Sequence, residues 1–203
     1  MYALPPSTAI SKQLYKKAIF EKFNLKTAER DRFDADISKI TLVARVSPAT
    51  VPALAEGKET KGFYVLQVVL KRKEYDARNV LLLQKLIPQQ MVFALQYGEQ
   101  TQLCVFHTRL QQSAWMPTEE VEIPLRGLSL DEVWTNIVAT IGGLDNESET
   151  TLEEQIENRE QREKLLHQIA QLEKRCRAEK QTHRRYELHQ EIVKLKERLE
   201  EGV

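Results

Sequence analysis

Two kinds of residue in this chain could do chemistry: carboxylates beside apolar strands, and clusters of lysine and arginine. Asp34, Asp36, Glu74 and Asp76 flank apolar segments. Carboxylate oxygens converging on one sheet edge could hold a hard divalent cation and activate water against a phosphodiester. A nuclease of that kind needs an acid on one strand and Glu-x-Lys on the next. The segments KITLVARV, FYVLQVVL and MVFALQY carry no carboxylate. Glu56-Gly57-Lys58 and Glu59-Thr60-Lys61 have the letters, but they lie in a segment broken by Pro52 and Gly57. Asp76, just before a helical pattern, fits an N-cap more simply than a ligand. A cryptic metal-dependent nuclease is therefore the third-ranked expectation. The cationic clusters are Lys71, Arg72 and Lys73, and a second group of Lys174, Arg175, Arg177, Lys180, Arg184 and Arg185 with His183. Such groups contact phosphate when they are free to do so, and otherwise solubilise a helical face.

Other chemistries find less. A cysteine nucleophile needs exposure and a neighbouring base. Cys104 lies inside an apolar strand, and His107, three residues on, falls on the opposite strand face. Gly142-Gly143 follows a helix instead of opening one, so no phosphate-binding glycine loop exists. Four histidines and two cysteines show no zinc-ligand spacing. The sequence implies no catalytic residue, no metal and no cofactor.

Composition narrows the classes further. The 203 residues suggest one globular domain with an appendage. Lysine and arginine number 30 and so do aspartate and glutamate, so the formal net charge is zero. Up to Asp145 there are 18 basic and 16 acidic residues; after it there are 12 and 14. That balance argues against a chain that coats nucleic acid or membrane over its whole surface. The two cysteines lack a Cys-x-x-Cys pattern, which suits a reducing cytoplasm. No signal-like start and no membrane-length apolar run is present, so a cytoplasmic protein with no membrane partner is expected.

The elements that position these residues centre on Gly62–Tyr97. Phe63 to Leu70 reads as a strand covered on both faces. Asp76 caps a helix over Ala77 to Ile87, which Pro88 ends. Met91 to Tyr97 reads as a second strand, parallel to the first if the helix is a crossover and antiparallel if it joins neighbours. Before this unit, Ser7 or Thr8 is expected to cap a helix carrying Ile10, Leu14, Ala18 and Ile19 through Phe23. Thr27 is expected to cap a short turn through Arg32, and Lys39–Val46 to form a strand. After it, Gly98-Glu99 marks a hairpin into Gln102–Thr108. Arg109–Pro117 reads as irregular and Glu119–Pro124 as an exposed last strand. Ser129-Leu-Asp-Glu132 is a capping box that opens a helix bearing Leu130, Val133, Trp134, Ile137, Val138 and Ile141 and closed by Gly142-Gly143. The expected fold class is α+β, a small mixed sheet of four to five strands packed by helices over residues 1–145. Asp145–Thr150 reads as a polar linker.

Residues 146–203 change in character and are expected to form a charged helical coiled-coil arm. Thr151-Leu-Glu-Glu154 is a second capping box. Leu165, Ile169, Leu172 and Cys176 follow a heptad-like spacing, and Leu188, Ile192, Leu195 and Leu199 repeat it. The two seams lie roughly 140° apart on an unbroken helix, which no single stutter repairs. A fold-back near Ala178–Arg185, bringing the seams together, is preferred over one long helix with two faces. It would set the second basic cluster at the tip.

The passages MYALPPST-x-I-x-K, KITLVARVSP, L-x-K-x-IPQQMVFAL and L-x-K-x-x-RAEKQ-x-x-RR-x-EL together resemble the domain-of-unknown-function family numbered 4391, over nearly the whole chain. The resemblance carries over no catalytic residue. It implies a bacterial protein with a charged helical tail, of the kind encoded beside helicases and DNA methyltransferases of restriction or phage-defence loci. The first functional expectation is thus a non-catalytic accessory protein. It would bind a helicase or DNA methyltransferase, with docking or homodimerisation through the arm. The alternative from a different class is a nucleic-acid-binding module using residues 71–73 and 174–185.

Overall fold

The computed structural model describes residues 2–145 and 150–200. The chain forms two compact units, residues 1–146 and 147–203. The linker expected at 145–150 lies mostly outside the described residues.

The first unit is built on one mixed sheet. Its path runs β1 (Ala9–Leu14), β2 (Ile37–Val46), β3 (Phe63–Leu70), β4 (Gln90–Tyr97), β5 (Gln100–His107) and β6 (Arg109–Gln112), and β7 (Met116–Pro117) also pairs with β5. That makes seven strands, more than the four to five expected. Only β3 and β4 are parallel, in the register Val65↔Val92 and Leu66↔Phe93; every other pairing is antiparallel. The crossover through α3 (Ala77–Gln84) is therefore a strand–helix–strand unit at the centre of the sheet. Parity divides the side chains. Leu66, Val68, Leu70, Met91, Phe93, Leu95 and Cys104 share one core with Ile19, Phe33, Val80 and Leu83 of the helices α1 (Lys16–Lys22), α2 (Thr27–Asp36) and α3. Phe20 and Phe33 meet edge to face at 5.6 Å and lock α1 to α2. On the opposite parity, Phe63 meets Trp134 of α4 (Leu130–Gly142), with ring centroids 5.7 Å apart.

α4 forms as its sequence dictates. The Ser129 side chain accepts the Glu132 N–H, the six stripe residues are buried, and Gly143 closes the helix at φ 59°, a left-handed position that glycine takes without strain. Each of those large side chains contributes about 1.5–3 kcal/mol of burial.

Four local expectations are corrected. No helix starts at residue 8. Instead Pro6–Thr8 form a single 3-10 turn, β1 follows, and only Lys16–Lys22 are helical. Ile10 and Leu14 are four apart, a spacing that places them on one face of a strand as well as of a helix. Pairing with β2 decides between the two. The second helix is longer than a turn, running to Asp36, with Thr27 as its first residue and Glu29 accepting the Lys26 N–H. Arg109–Pro117 is not irregular but supplies β6 and β7 on the flank of β5. Glu119–Pro124 is not a strand: Thr118–Glu120 make a 3-10 turn, and Val121 and Ile123 are buried rather than exposed.

The second unit is α5 (Leu152–Ala178) and α6 (Thr182–Glu200), separated by residues 179–181. Thr151 and Glu154 cap α5 reciprocally. The two helices pack on each other through Ile169, Leu172 and Ile192, flanked by Cys176, Leu188, Leu195 and Leu199. Lys196 and Glu173 form a cross-helix ion pair at 2.8 Å. Leu165 is also buried. Seven of the eight seam residues thus lie in one cluster, which removes the phase conflict between the seams. Among the described residues, no helix is long and apolar enough to cross a membrane.

Candidate nucleic-acid interface

The carboxylates at the end of β3 do come together, but as a structural node. Asp36 is fully buried. Its Oδ1 takes the Arg72 Nε–H at 2.6 Å and is also paired with Nη2; its Oδ2 takes the Asp76 N–H at 2.8 Å and the Asn79 amide at 2.7 Å. Asp76 caps α3 by accepting the Arg78 N–H at 2.9 Å, as its position implied. The hydrogen-bonded Arg78 guanidinium holds the Asp76 carboxyl down at about 2. Both carboxylate oxygens of Asp36 and of Asp76 are already engaged by donors, and Lys16 pairs with Asp34 Oδ1 at 2.6 Å. Among the described residues, no three His, Cys, Asp or Glu side chains gather as they would around a metal ion.

The first basic cluster is used within the fold. Lys71 donates to the Asp34 carbonyl, Arg72 serves Asp36, and Lys73 donates to Gln100 at 2.7 Å while lying 5.3 Å from the Trp115 ring centroid. These contacts tie the end of β3 to its neighbours, while the three residues remain exposed.

Two further polar clusters had no clear signal in the sequence. Cys104 is buried, with its Sγ 3.6 Å from the Tyr75 hydroxyl, which in turn donates to Gln102 at 2.8 Å. Burial pushes the Cys104 thiol up to about 12, so it is a protonated packing group at neutral pH. In the native protein a thiol reagent is expected to label Cys176, which is partly exposed, and to reach Cys104 only after unfolding. Two reactive thiols in the folded protein would contradict this. The second cluster joins α4 to the loop before β3. The Asp131 carboxylate accepts backbone N–H groups of Lys58 at 2.6 Å and Thr60 at 2.7 Å, with Glu59 at 3.3 Å. A Cβ on Gly57 would fall 2.2 Å from Asp131 Oδ1, so only glycine permits this approach. The backbone N–H of Thr60, foremost, lowers the Asp131 carboxyl below its ordinary value. A depressed carboxyl stabilises above its unfolded value and loses that contribution as pH falls through the folded one. The tie is thus intact at neutral pH and released below the ordinary aspartate range, ~3.9. Asp131→Asn is expected to increase proteolytic cleavage in residues 47–62 at pH 7, and the wild type to show the same increase only in acid. Equal cleavage of both at pH 7 would refute the tie.

The second basic cluster behaves differently from the first. Cys176 Sγ contacts the Arg185 carbonyl at 3.6 Å, which brings the end of α5 beside the start of α6. Glu179 is extended, and its carboxylate accepts the Gln181 N–H at 2.9 Å, which ends α5 without glycine or proline. Lys174, Arg175, Arg177, Lys180, Arg184 and Arg185 are all exposed. Arg177 pairs with Glu173 at 3.8 Å. The side chains of the other five make no hydrogen bond or ion pair with any described residue. His183 pairs with Glu187 at 3.3 Å. Beside these cations lies a groove of about 330 Å³ lined by Cys176, Thr182, Arg185, Tyr186 and His189. Tyr186 is 62% exposed. The charge of this unit is segregated. Five glutamates and two arginines occupy residues 150–163, against six basic residues and one glutamate over 174–185. The near-zero net charge conceals a cationic tip.

Residues 3–199 match the family model described as Domain of unknown function (DUF4391). The chain belongs to that family. The match takes in both units and spans the passages on which the resemblance rested. No curated protein and no solved structure matches the chain.

Proposed function

We propose that this protein is a non-catalytic binding protein that contacts nucleic acid through the turn between α5 and α6. The supporting observation is five cations gathered at that turn whose side chains make no hydrogen bond or ion pair with any described residue, while each side chain of the other basic cluster has a hydrogen-bond partner within the fold. Exposed lysines and arginines exchange condensed counterions for contacts with phosphate, and the released ions drive binding. Lys174, Arg175, Lys180, Arg184 and Arg185 would meet the phosphates. The sheet unit would be scaffold, its Asp36, Asp76 and Asp131 carboxylates hydrogen-bonded within the fold. A gel-shift series with the full chain is expected to show complexes at low salt that dissolve as salt rises; absence of any complex at low salt would refute the reading.

The second reading, an accessory subunit of a helicase or DNA methyltransferase in a defence locus, has one observation in its favour. Leu166 and Val193 are 47% and 37% exposed, outside the buried cluster of α5 and α6. A coiled-coil partner, or a second copy of the chain, would cover such residues. Co-purification with such an enzyme, lost on Leu166→Glu, supports it; a protein that remains alone and monomeric counts against it.

A further inference from the structure

We propose that the groove at Tyr186 seats an unpaired nucleobase, so that the tip selects single-stranded over double-stranded nucleic acid. The inference rests on the nucleic-acid reading above and specifies its ligand. Thr182, Arg185, Tyr186 and His189 stand at i, i+3, i+4 and i+7 of α6, which puts all four on one helical face, with Cys176 of α5 forming the opposite wall. Tyr186 is among the most exposed large side chains of the molecule. It takes no part in the seam. Its hydroxyl accepts a hydrogen bond from the Gln190 amide one turn later, at 3.0 Å, which restrains the ring. A restrained aromatic ring open to solvent is a stacking platform.

The groove's volume of about 330 Å³ falls within the range of small-ligand sites, roughly 300–1,000 Å³. The Thr182 hydroxyl and His189 imidazole supply hydrogen-bonding groups for the edge of a base. Lys174, Arg175, Lys180, Arg184 and Arg185 supply charge for the phosphates on either side. In a duplex the bases are stacked and paired, so a tyrosine face cannot reach them. In a single strand each base offers a free π-face, and stacking on it is tolerant of sequence. Cations alone would bind either form. The aromatic in the groove favours the single strand.

The test is fluorescence anisotropy with the full chain at low salt. The probes are a labelled 20-mer DNA strand, its RNA equivalent, and the blunt DNA duplex of the same sequence. The single strands are expected to bind at least ~10-fold more tightly than the duplex. Tyr186→Ala is expected to weaken single-strand binding by about 5- to 100-fold, the range that loss of one base stack implies, with duplex binding changed less than ~2-fold. Tyr186→Phe, which keeps the ring, is expected to retain most of the affinity. Circular dichroism of each variant reports whether the helices persist. Duplex binding equal to or tighter than single-strand binding overturns the inference. So does unchanged single-strand affinity in a folded Tyr186→Ala. Either result leaves the phosphate-contacting reading standing. Absence of binding to all three probes overturns both.

Discussion

Replacing Lys174, Arg175, Lys180, Arg184 and Arg185 together by glutamine is expected to weaken binding to a single strand by about 10³-fold at 0.1 M salt. Each neutralised phosphate on a single strand contributes roughly −0.7 to the slope of log affinity against log salt. Five contacts give a slope of about −3.5, so between 1 M and 0.1 M salt the electrostatic term grows by roughly 10³. Glutamine keeps helix propensity close to that of lysine and arginine, so α5 and α6 should persist. A matched control is Lys71→Gln with Lys73→Gln. Those side chains each donate one hydrogen bond within the first unit, to the Asp34 carbonyl and to Gln100, and affinity should change by less than ~3-fold. Anisotropy titrations check both variants. Equal losses in the two would mean that the binding surface is not the turn.

The second large effect is on stability. Asp36→Ala is expected to cost about 3–5 kcal/mol, the range seen when one partner is removed from a buried charge pair. The loss exceeds one ion pair because the same carboxylate satisfies the Asp76 N–H and the Asn79 amide, and Asn79 is itself buried. An unsatisfied buried donor adds about 1–3 kcal/mol. Arg72 is half-exposed and can return to water, which sets the figure toward the lower end. Asp36 lies where α2 passes into β2 and reaches both the end of β3 and the start of α3, so its loss should loosen all four elements together. Chemical denaturation should show a lower midpoint with an unchanged slope. A midpoint within error of the wild type would remove Asp36 from its role as the node of the fold.

How much of this was legible beforehand depends on the range of the interaction. The central β3–α3–β4 unit was readable because its signals are local: two continuous apolar runs and the Asp76 cap; α3 ends at Gln84, three residues short of the Ile87 expected from Pro88. α4 was readable for the same reason, from Ser129 to Gly143. β1 was misread because Ile10 and Leu14 satisfy two periodicities, and only pairing with β2 selects one. The short strands β6 and β7 take their definition from β5, across a mixed segment, RLQQSAWMP, that offers no sustained alternation. The fold-back of the last two helices was visible in the phase of the seams, although its turn has no glycine or proline. Glu179 performs the termination through its side chain, a device that composition does not reveal. The basic residues were all identifiable from sequence. Which of them are free was not, because Asp36, Gln100 and Trp115, the partners that occupy Arg72 and Lys73, are distant in the chain.

The most direct test of the account is the salt dependence of single-strand binding for the full chain and for Arg184→Gln with Arg185→Gln. A slope near −3.5 for the wild type, falling by about 1.4 to near −2.1 in the double variant, is the predicted result. A wild-type chain that fails to bind at low salt, or a double variant whose slope equals that of the wild type, would contradict the assignment of the α5–α6 turn as the nucleic-acid contact.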